Sequence, residues 1–340
     1  MTEHDFRLKN WEFSNGVRAK NRLIVPAMAS ETADKAGYAT DATIARYGRL
    51  TEVGAAIVLV EYSYVHESGR SEPNQLGAAE PGHFIGLQTL ADTIRSRGAL
   101  AGIQLVHAGG KTLPEWSGGR IMTPGSRPVP IMPGRKVGVP QAMSSTDMEL
   151  WRHWFASSTE RAIKAGYDLI ELHAAHGYGL NQWLSPLTND RTDAYGGSQE
   201  NRFRFLLEIV SIVREISAGK LLSVRIAGGD FLEQGSTIVE AAILAQRLEA
   251  QGVDIINVSS GLGGWRRPRE RVGEGYLLPE ARFIQNRINI PVIAVGGFET
   301  PQVIDRAIAL GDTSFVAVGR AILEGRYQDA HLRSSGAKEG

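Results

Sequence analysis

The sequence predicts an α/β fold, a (β/α)8 TIM barrel with an N-terminal β-hairpin and long loops at its C-terminal face, over residues 1–340 as a single domain. Short β-rich apolar runs alternate with helix-period segments along the whole chain, the pattern of parallel strands joined by helical crossovers. Eight such units follow one another with no composition break or Ser/Gly linker between them. The longest loops follow strands, as active-site insertions of such barrels do. A doubly wound open sheet is the alternative that the same alternation allows.

The elements follow in order. FRLKNWEFSNGVRAKNR alternates around Asn15 and Gly16 and predicts a hairpin closing the barrel floor. The eight strands are expected at 23–28, 55–62, 100–106, 169–173, 221–226, 255–259, 292–295 and 314–318. A loop rich in Gly and Pro occupies 107–145, a length that in a compact domain signals a lid or binding wall. A second polar stretch, LHAAHGYGLNQWLSPLTNDRTDAYGGSQENRFRF, joins strand four to a helix at 199–216. That helix places Phe203, Leu206, Leu207, Val210 and Val213 on one face, with Ser198 as N-cap and Glu200 suiting the helix dipole in its first turn.

Composition narrows the partners. Lys plus Arg and Asp plus Glu both count 37, so no net field draws the chain to nucleic acid or an anionic membrane, and a small-molecule substrate is expected. The cysteine count of 0 excludes disulfides and thiolate-held zinc or iron-sulfur sites. The polar N-terminus is unlike a signal peptide, and no apolar run reaches the ~20 residues of a membrane span. A soluble cytoplasmic protein with no metal is predicted, with homo-oligomerisation left open.

Two clusters carry chemistry. His173 ends strand four, and His176 and Tyr178 follow in its loop, so all three should reach the catalytic face. Two imidazole N–H groups can grip one carbonyl oxygen, and a phenol with an ordinary pKa near ~10 can protonate a carbanion or enolate. A zinc pair is the competing reading, weakened because HxxH lacks a nearby third ligand and sits at a strand end. The second cluster follows strands seven and eight, where Gly296, Gly297, Gly319 and Arg320 suit a phosphate held by backbone N–H groups and a guanidinium. Ordinary glycine turns are the plainer alternative. Gln104 and Arg225 are polar residues inside strands, with His107 just beyond strand three; Arg225 needs either an anionic ligand or an inner-strand carboxylate such as Glu171. GLGG at 261–264 lacks the dinucleotide spacing, so no Rossmann site is expected. No lysine ends a barrel strand, which argues against a Schiff-base aldolase.

The run HAAHGYGLNQWLSPLTNDRTDAYGGSQENRFRF resembles the signature of the Old Yellow Enzyme family of FMN-dependent oxidoreductases. NRLIVPAM, GRSEPNQLG, GIQLVHAGGK, VRIAGGDF and FVAVGRAIL extend the resemblance over essentially the whole chain. It implies noncovalent FMN at the C-terminal face of a (β/α)8 barrel and NAD(P)H as electron donor. Pro26, Ala27, Met28 and Ala29 would line the flavin with Tyr62 at its edge; Gln104 would meet its pyrimidine edge and Arg225 its N1 and O2. Gly296, Gly297, Gly319 and Arg320 would hold the phosphate. His173 and His176 would bind the oxygen of an α,β-unsaturated carbonyl or nitro compound, hydride would pass from flavin N5 to its β-carbon, and Tyr178 would protonate the α-carbon.

The resemblance also marks two departures. Ala29 stands where the family usually has a Thr or Cys beside flavin O4, with Ser30 able to compensate if the register shifts by one. Tyr62 is an aromatic where many relatives carry a small residue. Absent cysteines and a short C-terminus set the chain apart from relatives with an iron-sulfur cluster and further domains. The competing functions are an FMN dehydrogenase or demethylase working in the opposite direction, a non-redox phosphate-binding barrel, and a flavin-binding protein without turnover. Trp116, Trp265, Arg266 and Arg267 are candidate substrate contacts from the two long loops or, equally, lid packing and a solvated basic face, the arginines also suiting a 2′-phosphate.

Overall fold

The computed structural model describes residues 5–130, 138–329, 331 and 332; the rest of the 1–340 span, including part of the predicted 107–145 loop, lies outside the described residues. Eight parallel strands close into a barrel. Counting barrel strands alone, they are β1 (Leu23–Val25), β2 (Ile57–Tyr64), β3 (Leu100–Val106), β4 (Leu169–Ala174), β5 (Leu221–Ala227), β6 (Ile255–Ser259), β7 (Val292–Ala294) and β8 (Phe315–Ala317). Each pairs with its neighbour in sequence, and β8 returns to β1 through Val316 opposite Leu23 and Ala317 opposite Ile24. That closure removes the open-sheet alternative.

The strands are buried on both faces, which is why they read as continuous apolar runs rather than alternating ones. Several end earlier than the sequence suggests. β1 stops before Pro26, which has no N–H to offer the ladder. β2 runs on past Tyr62, and its pairing with β3 slips between Val60 and Ser63. Such a bulge re-aims side chains: Glu61 turns outward to Tyr47 and Ser30, while Tyr62 faces the barrel mouth.

Beneath the barrel, Trp11–Glu12 pairs antiparallel with Arg18–Ala19, as the Asn15-Gly16 turn predicts. Gly16 adopts φ +83°, a left-handed conformation that glycine takes without a steric penalty. The hairpin seals the floor: Phe13 stacks on Phe315 with centroids 5.7 Å apart, and Trp11 meets the same ring edge-on at 5.8 Å.

The helices are started by their caps. Ser198 accepts from the Asn201 N–H at the head of Gln199–Ile216, while Ser144 with Asp147 and Thr237 with Glu240 form capping boxes on Ser145–Lys164 and Ile238–Ala250. Outside the barrel, Met122–Thr123 pairs with Gln141–Ala142 and anchors the long loop after β3. No helix among the described residues is long and apolar enough to cross a membrane.

Candidate active site

A cleft of about 1260 Å³ opens at the C-terminal end of the barrel, above the roughly 300–1,000 Å³ of an ordinary small-molecule pocket. It has room for a cofactor and a second molecule together. The residues expected to hold the flavin, its phosphate and the substrate oxygen all line it: Pro26, Ala27, Met28, Ala29, Tyr62, Gln104, Arg225, His173, His176, Tyr178, Gly296, Gly297, Gly319 and Arg320.

His173, His176 and Tyr178 form one group. The His173 ring lies 5.0 Å from that of His176 and 4.9 Å from that of Tyr178, centroid to centroid. His176 adopts φ +59°, the left-handed region a non-glycine residue enters only when held there. Three contacts hold it: its N–H donates to the Ser260 carbonyl at 2.9 Å, its carbonyl accepts from Lys111 Nζ at 2.6 Å, and its Nε2 meets Ser259 Oγ at 2.6 Å. Arg225, which can only donate, reaches the same Ser259 oxygen at 3.1 Å. With one Ser259 lone pair taken by Arg225, the serine hydroxyl can donate to His176 Nε2, an arrangement that puts the imidazole N–H on Nδ1. Burial, and next the nearby Arg225 and Lys111 charges, hold both histidines well below the usual imidazole range. Both are therefore neutral donors at physiological pH.

The buried depression has a thermodynamic consequence. Unfolded, a histidine titrates near ~6.5, whereas His173, His176 and the buried His107 stay unprotonated to lower pH when folded. Below about pH 6.5 the unfolded chain thus binds more protons, and stability falls with falling pH. The urea midpoint of the apoprotein is expected to drop between pH 7.5 and 5.5, and the drop should shrink in His107→Gln. An equal drop in that variant would contradict the assignment.

The structure departs from the sequence reading at several residues. His107 does not reach the cleft; it is buried against Trp151, with ring centroids 3.9 Å apart, and its Nε2 meets Ser68 Oγ at 3.1 Å. β3 ends at Val106 as predicted, and His107, the next residue, turns toward the helices. Gln104 lines the cleft, but its amide nitrogen already donates to Glu171 at 2.7 Å. Glu171, fully buried, also accepts from Ser223 and Asn257, each at 2.9 Å. Arg225 makes no ion pair with it among the described residues, although the Glu171 charge offsets part of the burial that lowers the Arg225 pKa. Trp116, Trp265 and Arg267 line the cleft, whereas Arg266 lies over the Trp265 ring at 5.9 Å. Lys111 escaped the sequence reading: it enters from the loop after β3 and lies 4.4 Å from the Tyr178 ring centre. The segment from Asn189 to Arg204 is scaffolding, with Asn189 bonded to the Trp183 and Tyr195 carbonyls and Arg202 to that of Leu184.

Ser30 does not compensate for Ala29. Its hydroxyl and N–H both go to the buried carboxylate of Glu61, at 2.5 and 2.9 Å, behind the wall. Pro26 to Ala29 thus present no side-chain hydrogen-bond donor to the cleft. A hydroxyl introduced at Ala29 or Met28 is expected to shift the midpoint potential of a bound flavin, while Ser30→Ala lowers stability by about 1–2 kcal/mol and leaves the potential unchanged. Potentials unmoved by Thr at both wall positions would contradict this.

The residues suit a large anionic, partly polar cofactor. Arg225 Nε and His173 Nδ1 are buried polar atoms lacking a hydrogen-bond partner, and both residues border the cleft. At the other end Gly296 and Gly297 adopt φ +132° and +74°, and a methyl group at Gly319 would lie 3.0 Å from Met28 Sδ. The glycines let a ligand meet backbone N–H groups directly. Among the described residues no group of three or more His, Cys, Asp or Glu could hold a metal.

Residues 12–332 match the model of the NADH:flavin oxidoreductase / NADH oxidase family. An NADPH dehydrogenase of Geobacillus thermodenitrificans (strain NG80-2) is 35% identical over 320 residues, covering 92% of this chain and 90% of that protein. The structure of 2-naphthoyl-CoA reductase with 2-naphthoyl-CoA aligns with a TM-score of 0.87 at 25% identity, over 95% of this chain and 51% of the other, so this chain spans about half of it. The old yellow enzyme homologue of Zymomonas mobilis shares the fold, with a TM-score of 0.80 at 20% identity over 96% of both chains.

Proposed function

Since this chain belongs to the NADH:flavin oxidoreductase / NADH oxidase family, the Old Yellow Enzyme family, with FMN as cofactor and NAD(P)H as electron donor, we propose that it is an ene-reductase acting on α,β-unsaturated carbonyl or nitro compounds, built as a single (β/α)8 domain. The observation that carries this reading is the grouping of two neutral histidines and a tyrosine at one end of the cleft. When bound, FMN supplies the two-electron chemistry, taking hydride from NAD(P)H and delivering it to the acceptor β-carbon.

The protein's own groups do the rest. Pro26, Ala27, Met28, Ala29 and Tyr62 flank the ring system, Gln104 and Arg225 face its polar edge, and Gly296, Gly297, Gly319 and Arg320 take the phosphate. His173 and His176, neutral and held as donors, bind the substrate oxygen and stabilise the enolate charge that develops on it. Tyr178 Oη gives its proton to the α-carbon. The Lys111 ammonium, 4.4 Å from the Tyr178 ring centre, stabilises the phenolate left behind. Tyr62 supports the same state: burial keeps its phenol protonated far above the usual range, and its ring packs 5.4 Å from that of Tyr178, centroid to centroid. Reduction fits this grouping better than dehydrogenation, because a proton donor held beside an oxygen clamp serves an acceptor that gains hydride.

The test is spectroscopic and then kinetic. The purified holoenzyme is bleached anaerobically with NADPH or NADH, and enones and nitroalkenes are added. Reoxidation of the flavin with formation of the saturated product is expected. A flavin that enones leave reduced, but that small alcohols or amines bleach without NAD(P)H, would instead identify a dehydrogenase.

A further inference from the structure

The phosphate end of the cleft carries a second arginine that the strand-seven and strand-eight loops do not supply. The stretch from Gly273 to Leu277, which follows β6, packs directly on the glycines after β7. Tyr276 N–H donates to the Gly296 carbonyl at 3.1 Å, and a methyl group at Gly296 would lie 2.8 Å from the Leu277 nitrogen. The Tyr276 ring consequently covers Gly297, where an added methyl would sit 3.1 Å from Cε1. Two guanidiniums flank that ring. Arg267 lies over its face at 4.7 Å, with Nη2 3.4 Å from the same methyl position at Gly297, and Arg320 donates from Nη2 to its hydroxyl at 3.0 Å.

Charge compensation separates these two arginines from Arg271 and Arg326, though not from Arg266 and Arg269 of the same loop, which also make no ion pair among the described residues. Arg271, in the same loop, pairs with Glu280, and Arg326, beyond β8, pairs with Glu299 and Glu324. Among the described residues, Arg267 and Arg320 make no ion pair. Two uncompensated cations held on one tyrosine beside a left-handed glycine match a group carrying about −1.5 to −2 charges, as a phosphate monoester does near pH 7. A single guanidinium would leave about half of that charge to solvent.

We propose that Arg267 and Tyr276 form the second jaw of the cofactor phosphate site, with Arg267 binding the FMN phosphate opposite Arg320 and Tyr276 positioning both arginines. The inference rests on the placement of the phosphate at Gly297, Gly319 and Arg320. Arg267 then discriminates FMN from flavins lacking a phosphate, and the β6 loop that walls the substrate end is tied to cofactor occupancy.

Riboflavin, which has the same ring without the phosphate, is the control. Full-length holoenzyme is diluted and the released flavin read by fluorescence, beside the same protein reconstituted with riboflavin. Arg267→Gln is expected to weaken FMN binding by about tenfold or more and leave riboflavin binding unchanged, with Arg267→Lys between it and the parent. Tyr276→Phe, which removes the hydroxyl that Arg320 holds, should lower the same FMN-to-riboflavin ratio. If Arg320→Gln lowers the ratio and Arg267→Gln does not, the second jaw is wrong and the phosphate placement stands. If neither variant lowers it, the placement itself fails. Equal weakening of both flavins by Arg267→Gln would mean loop collapse and would also overturn the proposal.

Discussion

Tyr178→Phe is expected to slow alkene reduction by about 10²–10⁴-fold and to leave reduction of the bound flavin by NAD(P)H near the parent rate. The substitution removes one hydroxyl and keeps the ring. Packing against Tyr62, at 5.4 Å between centroids, and against His173, at 4.9 Å, is retained, so a general loss of structure is not the anticipated cause. Only the oxidative half-reaction needs a proton for carbon, and the loss should appear there alone. Lys111→Met should show a smaller loss of the same kind, because the ammonium stabilises the phenolate product of the transfer without providing the proton. Stopped-flow measurement of the two half-reactions separates these effects. Equal losses in both would remove Tyr178 from the role of donor.

The second large effect concerns stability. Glu171 sits at a central layer of the barrel, directly across from Gln104 on β3 and Ser223 on β5, and accepts hydrogen bonds from both and from Asn257 on β6. Glu171→Ala would leave those donors unpaired and remove the carboxylate charge that offsets part of the burial of Arg225. A loss of about 3–5 kcal/mol is expected, read as a fall in the urea midpoint of the apoprotein. Glu171→Gln keeps the shape and one carbonyl acceptor and should lose less. FMN should also bind more weakly to both variants, since Gln104 loses the carboxylate that orients its amide. An unchanged midpoint in Glu171→Ala would show that the three donors find other partners.

Much of the site was legible because its residues sit at strand ends. In a parallel barrel every strand end faces the same side, so His173, Arg225, Gly296 and Gly319 could be placed together without knowing any distance. His107 misled because it follows β3 by one position, and one residue of strand register reverses the direction of a side chain. Ser30 stayed open for a related reason: once β1 stops at Val25, only the path of the chain decides whether Ala29 or Ser30 faces the cleft. Lys111, Ser259 and Tyr276 left no local signal. Each acts on a residue far away in sequence, Lys111 on His176, Ser259 on Arg225 and His176, and Tyr276 on Arg320.

By itself, then, the sequence determined the eight-unit barrel, the floor hairpin, the end at which chemistry occurs and the residue types available there. Those follow from periodicity, turn chemistry and the shared direction of parallel strands, all of them local or repetitive properties. The tertiary structure decided which of those groups are neutral, which are already spent on one another and which are left for a ligand. Burial at the barrel mouth suppresses the histidine charges, and Glu171 takes the Gln104 amide. The β6 loop folds onto the β7 glycines and sets Arg267 beside Tyr276. Desolvation and through-space charge depend on positions brought together only when the barrel closes.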